Sequence, residues 1–389
     1  MARSPLLDVA IVGVYNTRQA RVIDDGDQQT ITAEAALGAL ADAGLTPADV
    51  DGVVGPEACD LTYYWRNGPN WRSRNVGGIP AVLEAAMSIA CGVTDVVVIA
   101  SGEAGRYTDR SSTAPWTRPS NEFVMSYGMF TAAEFALIAR HHMHRYGTTP
   151  EHLATVSATI RNNGHVHPEA VYHGRGPFTP QDILDSRMVA DPFHLLDCAM
   201  TAEGGCGLVL TSAARARNLR KKPVWILGCN IDSFGVGYRH PPTFDIGGRR
   251  ADDLVNGTVG RKAARDSFAM CGLGPADVDV CEFYDPFSFE IIRQFEAFGF
   301  CGEGEGGPFV MDGNIDVGGR YPVTTDGGTM SFSHGGSTVQ LLQRVIRGVQ
   351  QVRGECATRQ VPGAEVAMCT GGGAGALFNE IMLLGADQA

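Results

Sequence analysis

The chain lacks a paired cysteine motif, a basic excess and a long apolar run, and each absence removes a class of function. Ten cysteines occur in 389 residues, yet no two form a Cys-x-x-Cys pair. That scatter argues against a zinc ribbon, a redox dithiol or a disulfide framework. Cys91, Cys198, Cys206 and Cys281 sit among apolar or small residues and read as buried thiols of a reducing cytoplasm. Lys and Arg total 31 against 43 Asp and Glu, for a net charge of −12. Nonspecific nucleic-acid binding needs the opposite balance. A local basic cluster such as Arg215 to Lys222 could meet a phosphate but reads better as a solvated helix end. No apolar run approaches the ~20 residues that span a bilayer. The N-terminus passes into an apolar strand, Val9 to Val14, without a signal-peptide pattern, so the expected location is cytoplasmic.

What is present is a duplication. With 44% hydrophobic residues and 49 glycines, the composition suits a compact, turn-rich α/β protein long enough for two lobes. Ala35 to Asp51 reads AALGALADAGLTPADVD, and Ala263 to Asp279 reads AARDSFAMCGLGPADVD. At one constant offset, identical residues include Gly44, Leu45 and the run Pro47 to Asp51. Each copy predicts a helix closed by glycine, a Pro-Ala-Asp-Val-Asp turn and a buried strand. A weaker echo follows at a larger offset: VVVIASGEAG from Val96 resembles VAMCTGGGAG from Val366. Two echoes in the same order predict an α/β unit folded twice, with halves 1–235 and 236–389. Within the first half, Ile31 to Ala43 and Ile79 to Cys91 read as helices and Asp95 to Ala100 as a strand.

From about Arg106 to His194 the regular pattern fails, and His, Arg, Asn, Pro and aromatics accumulate around one clear helix, Phe130 to Tyr146. The second half has no counterpart, so this is an insertion of the kind that carries substrate recognition. Its His141, His142 and His144 do not share a helix face and lack a carboxylate at ligand spacing, so no metal site is expected there.

Three segments of the second half join a reactive side chain to a turn: Glu282 to Phe287 (EFYDPF), Gly327 to Gly336 (GGTMSFSHGG) and Cys369 to Gly375 (CTGGGAG). Glycine-rich turns bring backbone amides close to a ligand. Taken singly, a buried tyrosine, a capping histidine and a structural cysteine explain them as well.

In this order on a duplicated scaffold, the segments resemble the thiolase superfamily across nearly the whole chain. Cys369, Gly371, Gly372, Gly373 and Gly375 match the family's Cys-x-Gly-Gly-Gly-x-Gly turn. Gly327, Gly328 and His334 match its histidine motif, with Gly335 where proline is usual. Tyr284-Asp285-Pro286-Phe287 stands where the family has Asn-Glu-Ala-Phe. The resemblance implies duplicated βαβαβαββ units in a five-layered αβαβα body with an inserted loop domain. The helices after Gly78 and Gly336 would form the middle layer. It also implies a homodimer, expected through an edge strand near Asp95 to Ala100. Tyr284, His334 and Cys369 are expected to converge on one cleft lined by the insertion. Asp285 and Tyr238 would support them, and Gly78 and Gly375 would bind the acyl group.

One departure is decisive. A thiolase nucleophile would fall near Asn75, in Asn75-Val76-Gly77-Gly78, and no thiol is there. Ping-pong acyl transfer requires that covalent thioester. Gly77 and Gly78 are expected instead to leave room for a branched or polycyclic substrate. The pattern is similar to thiolase-like lipid-transfer proteins of bacterial steroid degradation, some of which are side-chain aldolases. Those work with a small OB-fold, zinc-ribbon partner and use a pair of tyrosines. The implied activity is a retro-aldol cleavage of a β-hydroxyacyl-CoA to a ketone or aldehyde plus a short acyl-CoA such as propionyl-CoA or acetyl-CoA. It needs no metal and no cofactor beyond the CoA of the substrate. A non-covalent condensing or acyl-transfer enzyme and a non-catalytic acyl-CoA binding subunit remain open alternatives.

Overall fold

The computed structural model describes residues 3–75, 77–105, 131–233, 259–335, 337–373 and 378–388. The repeated motif builds the same corner twice. Helix α1 (Gln28–Ala43) ends at Gly44 and helix α8 (Arg261–Cys271) at Gly272, both with φ 74°. The first aspartate of each Pro-Ala-Asp-Val-Asp run then closes the turn: Asp49 accepts from the Thr46 amide at 2.9 Å and Asp277 from the Gly274 amide at 2.8 Å. The second aspartate ties two strands together. Asp51 accepts from the amides of Asp95 and Val96, and Asp279 from those of Glu365 and Val366. These amides start the strands β4 (Val96–Glu103) and β10 (Val366–Gly373), the pair that the weaker echo joins. The short strands β2 (Gly52–Val54) and β9 (Val280–Glu282) run parallel to them.

The remaining strands are β1 (Val9–Asn16), β3 (Trp71–Ser73), β7 (Gly204–Ser212), β8 (Val224–Ser233) and β11 (Phe378–Gly385), with a small hairpin β5 (Met188–Ala190) and β6 (Phe193–His194). The main sheet has nine strands in the order β3-β2-β4-β7-β1-β8-β11-β10-β9. Outward from the β1/β8 seam the order repeats in both directions, as a twofold through the seam requires. The two half-sheets are therefore one continuous sheet, joined by the pairs Ala10–Trp225 and Ile11–Val224. By topology β8 stands to the second half as β1 does to the first. That half lacks a full third strand, and a single bridge, Cys281 to Val323, takes its place.

Helices α3 (Gly78–Ala90) and α12 (Ser337–Arg353) lie together against one face of both half-sheets. Ile79, Val82 and Ile89 pack there with Leu342, Val345 and Val349. On the opposite face sit α1, through Ala35, Ala39 and Leu40, and α8, through Ala263 and Phe268. Because α3 and α12 pack against both half-sheets while α1 and α8 cover the far side of each, the succession from α1 to α8 is the expected αβαβα, with the helices after Gly78 and Gly336 in the middle.

Three expectations change. The strand near Asp95 to Ala100 is not an edge, because β4 lies between β2 and β7, and β3 is the edge on that side. Cys91 is exposed at the end of α3 and Cys198 is half-buried, whereas Cys206 and Cys281 are buried. The insertion holds more helix than its sequence suggests. Besides α4 (Thr131–Tyr146) it contains α5 (Pro150–Val166), which starts at a proline after Thr149, and the short α6 (Pro180–Leu184). Small residues such as Ala154, Ser157 and Ala158 line its buried side, so its apolar stripe is faint in sequence. No described helix is long and apolar enough to cross a membrane.

If the paired aspartates carry the duplication, Asp51→Ala and Asp279→Ala should each cost about 1–3 kcal/mol, by leaving strand amides without an acceptor. Urea denaturation should give similar losses for the two variants.

Candidate active site

The site is built on a cluster of buried charge. Arg344, on α12, is wholly buried and holds Asp326 with two parallel hydrogen bonds at 2.8 and 2.7 Å. Glu282, at the end of β9, lies 3.5 Å from the same guanidinium. Arg347, one turn further, donates to the Thr325 hydroxyl at 2.8 Å and to two backbone carbonyls. Burial pushes Glu282 up to about 7, and the neighbouring Asp326 adds to the shift. Asp326 is held below the usual carboxylate range despite its burial, because Arg344 favours its charge.

This cluster fixes the turn that carries the histidine. Thr324 has φ 45°, a costly conformation for a β-branched residue. Asn163 of α5 braces it by donating to the carbonyls of Val323 and Thr324. Gly327 and Gly328 follow with φ 103° and 56° and lead into the single-turn α11 (Gly328–Ser331). No side chain fits there: a Cβ on Gly327 would stand 2.5 Å from Gly164 of α5, and one on Gly328 2.3 Å from the Asp285 carboxylate.

Asp285 accepts from the amides of Thr329 and Met330 at 2.8 and 3.0 Å. It thereby ties the Tyr-Asp-Pro-Phe segment to the histidine turn. Burial raises it to about 7, against the pull of Arg344 and the two amides. Tyr284, the preceding residue, is buried. Its amide donates to Thr370 on β10, and its carbonyl accepts from Gln294 of α9 (Ser288–Ala297). A Cβ on Gly372 would lie 3.5 Å from the tyrosine ring.

His334 is half-buried, and its Nδ1 lies 2.6 Å from the carbonyl oxygen of Met200. A carbonyl only accepts, so Nδ1 carries the hydrogen and Nε2 of the neutral ring is the basic nitrogen. Met200 belongs to the segment returning from the insertion, and Arg161 of α5 secures that segment. The buried Arg161 guanidinium donates to the carbonyls of Leu196, Cys198 and Met330. Arg161 did not emerge from sequence reasoning. Its only signal is a lone arginine on the buried side of a weakly amphipathic helix.

Other expected site residues are placed differently. Cys369 lies within β10 rather than on a turn, wholly buried, with its sulfur 2.5 Å from where a Cβ on Gly348 of α12 would stand. Burial, with Glu282 nearby, pushes its thiol well above the usual range, so it stays neutral. Gly78 leaves no room for substrate, since a Cβ there would stand 2.1 Å from the Leu341 Cβ. Gly77 is likewise crowded by Asn75 and Pro80. Gly78 lets α3 approach α12. Asn75 accepts from the Gly77 amide at 2.7 Å and donates to Glu84 at 2.8 Å, so it is a turn residue bound to its own helix. Tyr238 and Gly375, and the insertion's residues 106–130, lie outside the described residues. His142 is taken up by Thr148 and Glu296, each at 2.9 Å. Glu134, on α4, is buried with neither carboxyl oxygen hydrogen-bonded, and burial lifts it to about 7.

Two outcomes test these electrostatics. Arg344→Met should lose about 3–5 kcal/mol, because it strands buried carboxylates, and Asp326→Leu in the same chain should restore much of it. Chemical denaturation measures both. For Glu134 the folded value of about 7 exceeds the ordinary 4.5. The unfolded chain therefore releases this proton first as pH rises, and stability falls between those two values. Glu134→Gln should be more stabilising at pH 8 than at pH 4, measured as a difference in melting temperature.

A family model described as thiolase C-terminal domain-like matches residues 248–386. The 17-hydroxy-3-oxo-4-pregnene-20-carboxyl-CoA lyase of Mycobacterium tuberculosis is 36% identical, over 93% of this chain and 96% of the relative. The steroid side-chain-cleaving aldolase of Thermomonospora curvata is 32% identical, over 87% of this chain and 90% of the relative. Among solved structures, the Ltp2-ChsH2(DUF35) aldolase superposes with a TM-score of 0.84 at 29% identity, covering 98% of each chain. With the nine-stranded sheet, the paired middle helices and the histidine turn, these similarities make the chain a member of the thiolase superfamily, in the branch that includes the lyase and the aldolase.

Proposed function

We propose that this protein is a retro-aldolase that cleaves a β-hydroxyacyl-CoA, the acyl part being a steroid side chain, into a ketone or aldehyde and a short acyl-CoA. The observation that carries this reading is Asn75, near which the resemblance expects a thiolase nucleophile: it precedes α3, bears no thiol, and is bound to Glu84 and Gly77. Cys369 is a neutral core thiol, which fits a reaction without an acyl-enzyme. A retro-aldol cleavage needs none. The names of the lyase and the aldolase above support the same reading.

In the proposed reaction His334 is the base. Its Nδ1–H is committed to Met200, so Nε2 takes the proton of the β-hydroxyl. The oxygen's electrons then form the new carbonyl, the α–β carbon bond breaks, and its electron pair passes into the thioester as an enolate. Tyr284 donates a hydrogen bond to the enolate oxygen, a role suited to a phenol, whose ordinary pKa of about 10 makes it a donor rather than a base at neutral pH. Asp285 positions both, because its carboxylate binds the turn leading to His334 and its backbone continues from Tyr284.

The aldolase superposed above has ChsH2(DUF35) in its title. A small partner of that kind, with the OB fold and zinc ribbon expected from the resemblance, belongs to this proposal. So does a homodimer, with β3 as the edge strand open to pairing.

Tyr284→Phe and His334→Ala should each lower turnover by about 100-fold or more while leaving the fold intact. Product analysis should detect a carbonyl fragment and a shortened acyl-CoA from the wild-type protein. Mass spectrometry of enzyme quenched during turnover should find every cysteine unmodified. Acylation of Cys91 or Cys369 would instead establish a covalent acyltransferase.

A further inference from the structure

One buried carboxyl has no part in the reaction above. Glu380 lies in β11, is the only charged residue of that strand, and is almost completely buried. Its Oε2 has no hydrogen-bond partner. Buried carboxyl oxygens are rarely left unmatched, because the desolvation is not recovered. Space is made for this one by Gly371, its partner across the strands: a Cβ there would stand 2.4 Å from Oε2. The adjacent Gly372 faces the other side of the sheet, where a Cβ would make ordinary contact with the Tyr284 ring at 3.5 Å. On its other side the carboxyl meets the amide of Ile79, at the start of α3. Glu380 therefore stands at the amino end of α3, near which the resemblance expects a thiolase nucleophile, while the Asn75 side chain is bound to Glu84 and the Gly77 amide.

We propose that Glu380 is a further catalytic residue, the acid–base group that exchanges a proton with the α-carbon of the bound acyl-CoA. The proposal rests on the retro-aldolase reading for the direction of turnover. After the α–β bond breaks, the enolate's electron pair forms a new C–H bond with the carboxyl proton of Glu380, leaving a carboxylate. The proton that His334 took from the β-hydroxyl, or one from solvent, restores the acid. The net change moves one proton from oxygen to carbon and requires no oxidant, reductant or further reactant. In the opposite direction the carboxylate removes an α-proton from an acyl-CoA and forms the enolate.

Burial raises Glu380 to about 7, with only the Ile79 amide opposing it, so both forms are populated at neutral pH. Among the described residues, the elements packed around it do not supply a competing switch. Cys229 on β8 and Cys369 on β10 are buried thiols held neutral. Asp232 on β8 binds the Gly260 amide, and Glu84 on α3 binds Ser73 and Asn75. The arginines of α12 are committed: Arg344 to Asp326, Arg347 to Thr325 and Arg353 to Asp42. Glu282 and Asp285 also titrate near about 7, but both belong to the Arg344 cluster.

The test is deuterium exchange into the α-carbon of propionyl-CoA in heavy water, followed by NMR across a pH series on the full-length chain, with β-hydroxyacyl-CoA cleavage measured in parallel. Wild-type exchange should rise with pH through about 7, as the carboxylate forms. Glu380→Gln should lose about 100-fold or more in exchange and lose the rising limb, with an unchanged or higher melting temperature. Glu380→Asp should retain the limb at a reduced rate, and Gly371→Ala, which drives a methyl group onto Oε2, should lower exchange. Absence of exchange in the wild type, or a wild-type rate and pH profile in Glu380→Gln, would overturn the proposal. Glu380-dependent exchange without any cleavage would uphold it and remove the retro-aldolase reading instead.

Discussion

The guanidinium of Arg344 is enclosed with Glu282, Asp285 and Asp326, and the geometry of the candidate site follows from how that charge is balanced. Breaking one partner of such a cluster leaves the others buried and uncompensated. Its two hydrogen bonds to Asp326 hold the start of the Gly-Gly turn. The turn presents the Thr329 and Met330 amides to Asp285, and so joins the tyrosine segment to the histidine segment. Middle helix, strand end and turn thus meet at one residue. A site used for proton transfer gains from this arrangement, because positions within it are set by bonds that cannot relax into water.

A second clamp comes from the insertion. Arg161 gathers the carbonyls of Leu196, Cys198 and Met330, and the segment it secures supplies the Met200 carbonyl that binds His334. The histidine's tautomer is therefore set by a part of the chain outside the repeated unit. Arg161 of the inserted segment thus helps to orient the proposed base.

Duplication and divergence act on different parts of the unit. Asp51 and Asp279 make the same paired bonds to strand amides, and the turns before them close the same way. Where the first half places its third strand, the second has one bridge at Val323. The residues directly after that bridge form the strained turn at Thr324 and the Gly-Gly motif.

The layered fold was legible from Ala35–Asp51 and Ala263–Asp279, because helix stops, turn aspartates and buried strands are local events that each short segment encodes. The segments that carry Tyr284, Asp285 and His334 were legible through the family motifs they resemble, rather than through local physics. Other features depend on distant neighbours. The strand near Asp95 reads like any apolar edge until β7, more than a hundred residues later, pairs with it. Gly78 suggests room for a ligand until Leu341 fills the space. Cys369 carries a motif's reactive residue, but the approach of Gly348 makes it a core thiol. Arg161 and Glu380 are single charges with no motif around them, and burial gives them their meaning. Sequence by itself determined where the chain turns and which halves match. Tertiary packing alone decided which charges lose their water, and that desolvation sets which of them can hold or move a proton.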